Sequence, residues 1–511
     1  MPAVYHAVWT PPEGHGSFGN LHEIMAKRCT GTVQSMAIGL TVPERTDRVV
    51  ADDVEVKILG ACRHPSPLND RLARAAIHYV GKADRVPLDD RMSKISEYCE
   101  NLSRAPAFEL AGPRDHIFFD PSRLRCGIVT CGGLCPGINN VIRGLVLELT
   151  RGYGVEEIFG FRYGYAGLVK ALGEEPVRLT PAAVADIHHE GGTALGTSRG
   201  GQDPFEMVNT LERLGIGILF VIGGDGTLRG AITLAAEVEK RGLAIGIAGI
   251  PKTIDNDIHF IDQSFGFETA FSAAVEVIRS AHVEATGAQN GVGVVKLMGR
   301  HSGFIACQAA IASTDVDVVL IPEIPIRLEG ELGLFEFLRR RLERSKHAVI
   351  VVAEGAGQEL CAEENGARMT DPSGNLRLSD IGVVLKERIV DHFRQKRVDV
   401  TLKYMDPSYH IRSVPASPTD SVYCWNMARN AVHAAMAGNT EVLIGQWHGR
   451  FVHVPMPLAT RFRKQVDTHS DLWMSVVEST GQPISWDDEE ESMAARRSSP
   501  APVWSVGMRE G

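Results

Sequence analysis

From Cys126 onward the chain alternates between short, nearly uninterrupted apolar runs and longer stretches in which apolar residues recur every three or four positions. The runs are CGIVTC (126–131), GILFVI (217–222), AIGIAGI (244–250), GVGVVKLM (291–298), VDVVLI (316–321) and HAVIVVA (347–353). Their length suits strands, and the absence of polar alternation suits strands covered on both faces. Between them, 266–284 (GFETAFSAAVEVIRSAHVE) and 331–345 (ELGLFEFLRRRLERS) have helical spacing. After the turn GGLCPGIN, Asn139 is placed to cap a helix that carries Val141, Ile142, Leu145, Val146 and Leu149 on one side. Strands alternating with helices predict an α/β protein with doubly wound, mostly parallel sheets.

Residues 1–115 mix Pro, Gly, His and charges without such a rhythm, apart from 53–59 (DVEVKIL), which alternates like a strand. This segment reads as an N-terminal extension. At the other end, 486–511 opens with WDDEEES and closes with RRSSPAP and GMREG, the composition of a mobile tail. The full 511 residues leave room for two or three packed domains and a cleft between them.

Charge narrows the partners. With 53 Lys+Arg against 63 Asp+Glu, the net charge of -10 has the wrong sign for a general nucleic-acid binder. Apolar runs stay too short to span a bilayer, and the start lacks a signal-like core, so the expectation is a cytoplasmic protein without a membrane partner. The nine cysteines show no paired zinc spacing, and Cys126, Cys131 and Cys135 around a Gly-rich turn read as reduced, structural thiols.

In open α/β sheets, ligands gather at the carboxyl ends of strands, so the loops that follow the apolar runs carry the information. Gly132 and Gly133, with Pro136 and Gly137, allow backbone N–H groups to approach a phosphate near a helix N-terminus. Gly223-Gly224-Asp225-Gly226-Thr227 clears space for a polyphosphate and supplies Asp225 as a hard oxygen ligand for Mg²⁺. Pro251-Lys252-Thr253-Ile254-Asp255-Asn256-Asp257 puts two carboxylates beside a lysine: one can take a proton, the other can organise metal and water, and the lysine can meet a transferring phosphoryl group. No G-x-G-x-x-G opens a helix with an acidic residue suitably downstream, which disfavours a dinucleotide-dependent dehydrogenase.

The blocks TCGGLCPGINNVIRG, LGTSRGG, FVIGGDGT, GIPKTIDNDI, VVKLMGRHSGFIA, VVAEG and KYMDPSYHIRSVPASPTD stand together, in this order, over roughly 125–440. In that order they resemble the phosphofructokinases, and most of all the atypical ATP-using branch of plants, trypanosomatids and some bacteria. NAD kinases and lipid kinases share only the GGDGT loop. The resemblance implies two doubly wound domains behind an N-terminal extension (1–115). A nucleotide-binding domain spans 116–250 and is completed by about 405–460, a sugar-phosphate-binding domain spans 251–404, and a C-terminal segment spans 461–511.

Carried over to this chain, the resemblance implies ATP and Mg²⁺ contacts at Gly133, Arg199, Gly200, Gly224, Asp225, Gly226, Thr227 and Lys252, with Asp225 the metal ligand. It implies Asp255 as general base toward fructose 6-phosphate. Thr253 and Ile254 lie at the reacting end of the sugar, Asp257 orders metal-linked water, and Met298, Gly299, Arg300 and Glu354 grip the sugar. Tyr409 and Arg412 stand near the 6-phosphate, and Lys403 takes the place of a bacterial arginine. A homotetramer is implied as well.

Two positions depart from the main bacterial pattern. Gly291 beside Asn290 stands where those enzymes reach across an interface with an arginine, and Tyr409 stands where they use a histidine. Tyr can hydrogen-bond but carries no positive charge near neutral pH. Pyrophosphate-dependent relatives place an aspartate at the position of Gly226, so Gly226 favours ATP, whereas Lys252 resembles the pyrophosphate enzymes. Pyrophosphate is therefore the alternative donor, and a non-catalytic sugar-phosphate-binding subunit is the alternative of another class; against the latter, Asp225, Asp255 and Asp257 are all present.

Overall fold

Nine strands make the larger sheet of the computed structural model, which describes residues 49–71, 77–362 and 378–486. Five of them are parallel and lie in the order Glu157–Phe161, Arg125–Thr130, Ile218–Gly223, Gly246–Pro251, Val442–Trp447. Their side chains alternate between two cores. Ile218, Phe220 and Ile222 join the core beneath helices Ile138–Leu147 and Pro418–Met436, while Leu219 and Val221 join that beneath helices Pro204–Leu214 and Asp225–Lys240. Burial on both faces is why these strands read as continuous apolar runs.

Antiparallel strands extend this sheet at both ends. Val177–Arg178 pairs with Glu157–Phe161; at the other end Arg450–Pro455, Ala107–Leu110 and Arg85–Pro87 follow in turn. Part of the expected N-terminal extension is thus sheet edge. Of 53–59, the first two residues end the short 3₁₀ turn Ala51–Val54, and only Lys57–Ile58 pairs as strand, with Asn439–Thr440. The hairpin Val442–Trp447/Arg450–Pro455 turns through His448 and Gly449, both at positive φ, as a two-residue primed turn requires.

The second sheet is wholly parallel, in the order Val318–Leu320, His347–Ala353, Gly291–Leu297, Thr401–Met405. Helix Phe267–Thr286 links the two sheets: Ala270, Ala274, Ile278 and Ala281 belong to the core that contains both Ile128 and Val292. Its N-terminus is capped from another helix, since buried Asp420 accepts from the N–H groups of Gly266 (3.0 Å) and Thr269 (2.9 Å) and from the Thr269 hydroxyl (2.6 Å). Those bonds satisfy helix-end donors and fix helix Pro418–Met436 against Phe267–Thr286.

Asn139 is not a cap. Gly137 (φ 97°) holds that position, and Asn139 lies buried in the first turn, donating to the Glu190 carbonyl (3.1 Å) and accepting from the Ala194 N–H (2.8 Å). Only glycine turns the chain this way at low cost, so Asn139 is left to tie down the 190–194 loop. The eight described cysteines are free thiols, with Cys126, Cys131 and Cys135 buried. Burial pushes the Cys131 thiol up to about 12, so it stays protonated.

Beyond helix Met456–Ala459 the chain crosses to the second sheet. There Gln482 brackets Val319, accepting from its N–H (2.6 Å) and donating to its carbonyl (3.2 Å), so a side chain satisfies backbone groups of the edge strand. The expected mobile tail at 486–511 lies outside the described residues from 487 onward.

Candidate active site

Arg125–Thr130 and Ile218–Gly223 are neighbours whose onward connections run to opposite sides of the sheet, toward 157–161 and 246–251. Such a switch point opens a crevice at the carboxyl ends, and both glycine loops flank it. Gly132 turns at φ +86°, its N–H donating to the Ser198 carbonyl (3.0 Å) and its carbonyl accepting from Thr197 Oγ1 (2.7 Å). A Cβ on Gly133 would stand 3.4 Å from Arg412 Nη1 and 3.6 Å from Arg199 Nη2, so two guanidinium groups already face this backbone. Buried Lys252 joins them, donating from Nζ to the Gly133 carbonyl (2.7 Å). Burial lowers its pKa, with Arg199 and Arg412 adding repulsion. Three cations converging on a glycine turn form a receptor for concentrated negative charge. Gly200 adjoins Arg199 in the same loop, turning at φ +96°.

The second loop is the first turn of a helix. Gly224 is its N-cap, and Asp225, Gly226 and Thr227 open helix Asp225–Lys240. A Cβ at Gly223 would strike Thr227, whereas one at Gly226 would meet nothing within 4 Å. The exposed Gly226 backbone therefore borders open space at the positive end of a helix.

The 251–265 loop is pinned by its own polar groups. Lys252 bridges to Phe265, and Asn256, at φ 54°, accepts from the Ser264 N–H (3.0 Å) and donates to the Asp262 carbonyl (3.3 Å). Thr253 Oγ1 accepts from the Asp255 N–H (3.1 Å) and donates to Asp257 Oδ1 (2.9 Å), which separates the two carboxylates. Ile254, between Thr253 and Asp255 in sequence, is buried. Asp255 Oδ2 accepts from the Arg300 N–H at 3.4 Å, while Oδ1 is sealed from solvent with no partner among the described residues. Burial, then the charges of Asp257 and Glu354, push the Asp255 carboxyl up to about 8. A carboxyl so placed is a proton acceptor poised near neutrality.

Arg300 ties this loop to the second sheet. Met298, Gly299 and Arg300 directly follow strand Gly291–Leu297, and Glu354 directly follows His347–Ala353. Gly299 needs its φ of +127°, and its carbonyl accepts from the Gly355 N–H (3.1 Å). Burial raises the Glu354 pKa, opposed by Arg300, Lys296 and Arg412. The carboxyl edges of the two sheets thus meet at Asp255.

Arg412 lies on the short helix Ser408–Ser413, its guanidinium 4.8 Å from the ring centroid of Tyr409, which is 76% exposed. Expected near the sugar 6-phosphate, Arg412 also reaches Gly133, a residue expected to contact the donor. Lys403 stands two residues before the end of edge strand Thr401–Met405, and its side chain is exposed. Gly291 begins the buried strand beside it, and Ala285 backbone fills the space a side chain would need.

The sequence reading missed Arg463. Its guanidinium stands 3.5 Å from Asp225 Oδ2 and 3.6 Å from Asp257 Oδ2, joining carboxylates from two different loops. Among the described residues no three acidic, His or Cys groups gather as a metal site. A divalent cation carried on a polyphosphate needs only one or two protein carboxylates, and a pair already sharing one cation fits that demand. The charged string RFRK gives no local signal of this role.

Among the described residues no helix is long and apolar enough to cross a membrane. Comparison with known proteins matches residues 125–435 to the phosphofructokinase family pattern. An "ATP-dependent 6-phosphofructokinase" of Amycolatopsis methanolica is 53% identical over 84% of this chain and 95% of its own length. Enzymes of that name from Arabidopsis thaliana (isoform 1; 45% identity, 82% and 88% coverage) and Trypanosoma brucei brucei (44%, 84% and 88%) are similar as well. Among solved structures, the pyrophosphate-dependent phosphofructokinase of Marinobacter aquaeolei shares the fold with a TM-score of 0.57 at 19% identity, covering 71% of this chain and 92% of that one. Pichia pastoris phosphofructokinase in the T-state does so with a TM-score of 0.54 at 22% identity, covering 73% and 39%. The order of the loops, the two sheets meeting edge to edge, and these matches lead to one conclusion: the chain belongs to the phosphofructokinase family.

Proposed function

We propose that the protein transfers the γ-phosphoryl group of ATP to the 1-hydroxyl of fructose 6-phosphate, giving fructose 1,6-bisphosphate and ADP. The observation that carries this reading is the enclosed Asp255 carboxyl, raised toward neutrality, at the meeting of a three-cation cradle and the Arg300–Glu354 edge. Asp255 takes the proton of the 1-hydroxyl as its oxygen attacks the γ-phosphorus and the bond to the β-phosphate oxygen breaks. Thr253 holds Asp257 away from that proton path. Lys252, Arg199 and Arg412 meet the charge spread over the transferring group, and Met298, Gly299, Arg300 and Glu354 hold the sugar. Asp225 and Asp257 would hold Mg²⁺, which offsets phosphate charge.

The shared names of relatives across most of their lengths support ATP as donor. So does the open space beside Gly226, where a nucleotide backbone can pass. Tyr409 and Lys403 are assigned to the periphery of the 6-phosphate site. In this reading the protein is a cytoplasmic homotetramer whose nucleotide side is built on the larger sheet and whose sugar side is built on the smaller. Initial rates with fructose 6-phosphate and either ATP or pyrophosphate test it. Turnover with ATP is expected, and turnover with pyrophosphate alone would reassign the donor.

A further inference from the structure

The stretch 460–467 leaves the larger sheet, passes the catalytic loop and enters the second sheet's territory, fastened at nearly every residue. Arg463 forms an antiparallel bridge with Ile258, and the Lys464 N–H donates to the Asp257 carbonyl (2.9 Å). Lys464 Nζ donates to the carbonyls of Ile261 (2.9 Å) and Asp262 (2.7 Å). Gln465 Nε2 donates to the His301 carbonyl (3.1 Å), and the Val466 N–H donates to Glu323 Oε1 (2.8 Å), which also accepts from the Gly303 N–H (3.0 Å). The backbone of Arg463 is therefore fixed to the very loop that carries Asp255 and Asp257.

Its side chain is placed differently. It is 32% exposed and spans two carboxylates at 3.5 and 3.6 Å, separations of an ion pair rather than of a tight bidentate fork. Arg229 also touches Asp225 (3.2 Å), but as an i,i+4 partner on the same helix, and the bridge to Asp257 belongs to Arg463. A partly exposed guanidinium on a fixed backbone, bordering the helix N-terminus of the glycine loop, can change partners by side-chain rotation alone.

We infer that Arg463 is a donor-binding residue that doubles as a placeholder. With no donor bound, it neutralises the Asp225–Asp257 pair; with donor bound, it releases the pair and pairs with phosphate oxygens of the polyphosphate. The inference rests on the phosphoryl-transfer reading of the site. Its energetic logic is exchange: the two like charges are never left uncompensated, and the guanidinium passes from two carboxylates to an oxyanion of comparable strength. Asp225 and Asp257 come from separate loops of the same cleft, so the placeholder also keeps both facing one volume before the donor arrives.

The exchange predicts opposite signs in two binding measurements. Mn²⁺ binding by the nucleotide-free enzyme, followed by the EPR signal of the free ion, should tighten about tenfold in Arg463→Ala, because a competing cation has gone. ATP binding with Mg²⁺, followed by calorimetry, should weaken about tenfold, because a charged phosphate contact has gone. Arg463→Lys, which keeps a cation but cannot span both carboxylates, should lie between the two in both assays and serves as the readout if the alanine variant does not fold. Unchanged or weaker Mn²⁺ binding, or unchanged ATP affinity, in a variant with wild-type melting behaviour overturns the inference. The Mn²⁺ arm needs no turnover, so it reads the placeholder role even if the assigned substrates prove wrong.

Discussion

On the proposed donor side of the cleft, all assigned groups but Arg199 and Gly200, which stand in the loop before helix Pro204–Leu214, follow an internal strand of the larger sheet within a few residues: Gly133 after 125–130, the Gly224–Thr227 turn after 218–223, and Lys252 after 246–251. On the acceptor side, Met298–Arg300 and Glu354 follow internal strands of the smaller sheet, but Lys403, Tyr409 and Arg412 come from its edge strand and a six-residue helix. Internal strands fix their last residues by packing on both faces. An edge strand and a short helix leave side chains exposed, as Tyr409 is. In the proposed assignment the glycine turns and Lys252 of the donor side are therefore preorganised, and the outer half of the sugar site depends on fewer contacts for its shape.

The largest expected effect falls on the residue where both sides meet. Asp255→Asn keeps the shape and removes the proton acceptor, so turnover should fall by about 10² or more with little change in melting temperature. Turnover equal to wild type would remove Asp255 from the role of base. Its raised pKa gives a pH test with a definite sign: the base acts when deprotonated, so kcat/KM should climb with pH along a limb well above the ordinary carboxylate range. Asp257→Asn removes a like charge and should shift that limb to lower pH.

Next comes a pure donor-side change. A Cβ at Gly226 meets nothing within 4 Å, so Gly226→Asp should fold normally while placing a carboxylate beside the path of the ATP α-phosphate. Like charges in a partly dry site cost on the order of several kcal/mol, enough to cut kcat/KM for ATP by about 10². Activity with pyrophosphate, which has no α-phosphate or nucleoside to place there, should survive or emerge. Full ATP activity in the variant would show that Gly226 does not choose the donor.

Arg412 blurs the division between the sides. Arg412→Ala should raise the KM for fructose 6-phosphate about tenfold or more, the scale of one charge-assisted phosphate contact. Its approach to Gly133 adds a smaller rise for ATP. A rise for ATP alone would move Arg412 wholly to the donor side.

The same contrast explains what could be read from sequence. Both-face burial writes an unbroken apolar run, so six strands and the loops after them were legible, and with them Asp225, Lys252 and Asp255. Thr401–Met405 lies at an edge with exposed positions, and its alternating TLKYM carries a weak pattern. Arg463 sits on a strap with no regular structure, where its partners are long-range and no spacing announces them. Asn139 was misplaced because a capping residue type and a buried tie between loops look the same until the positive φ of Gly137 is known. The hairpin at 442–455 could have been found: two strand-like runs separated by His-Gly are a turn signal.

The smallest effect is expected at Lys403, and it tests the comparison from the other end. Sequence resemblance puts this lysine in the place of a bacterial arginine. In the fold it pairs across the edge of the smaller sheet with Gly293, four residues before the end of strand Gly291–Leu297. Side chains alternate along a strand, so Lys403 and Tyr404 face opposite ways, and Tyr404 is the one turned to Asp380, donating its hydroxyl at 2.8 Å. An exposed ammonium on a flexible stem makes a solvent-screened contact worth about 0–1 kcal/mol. Lys403→Ala should then raise the KM for fructose 6-phosphate by no more than about fivefold, less than Arg412→Ala does, and the rise should shrink as salt is added. A loss equal to that of Arg412→Ala, insensitive to salt, would mean that the edge strand closes onto the phosphate and that the acceptor side is as firmly built as the donor side.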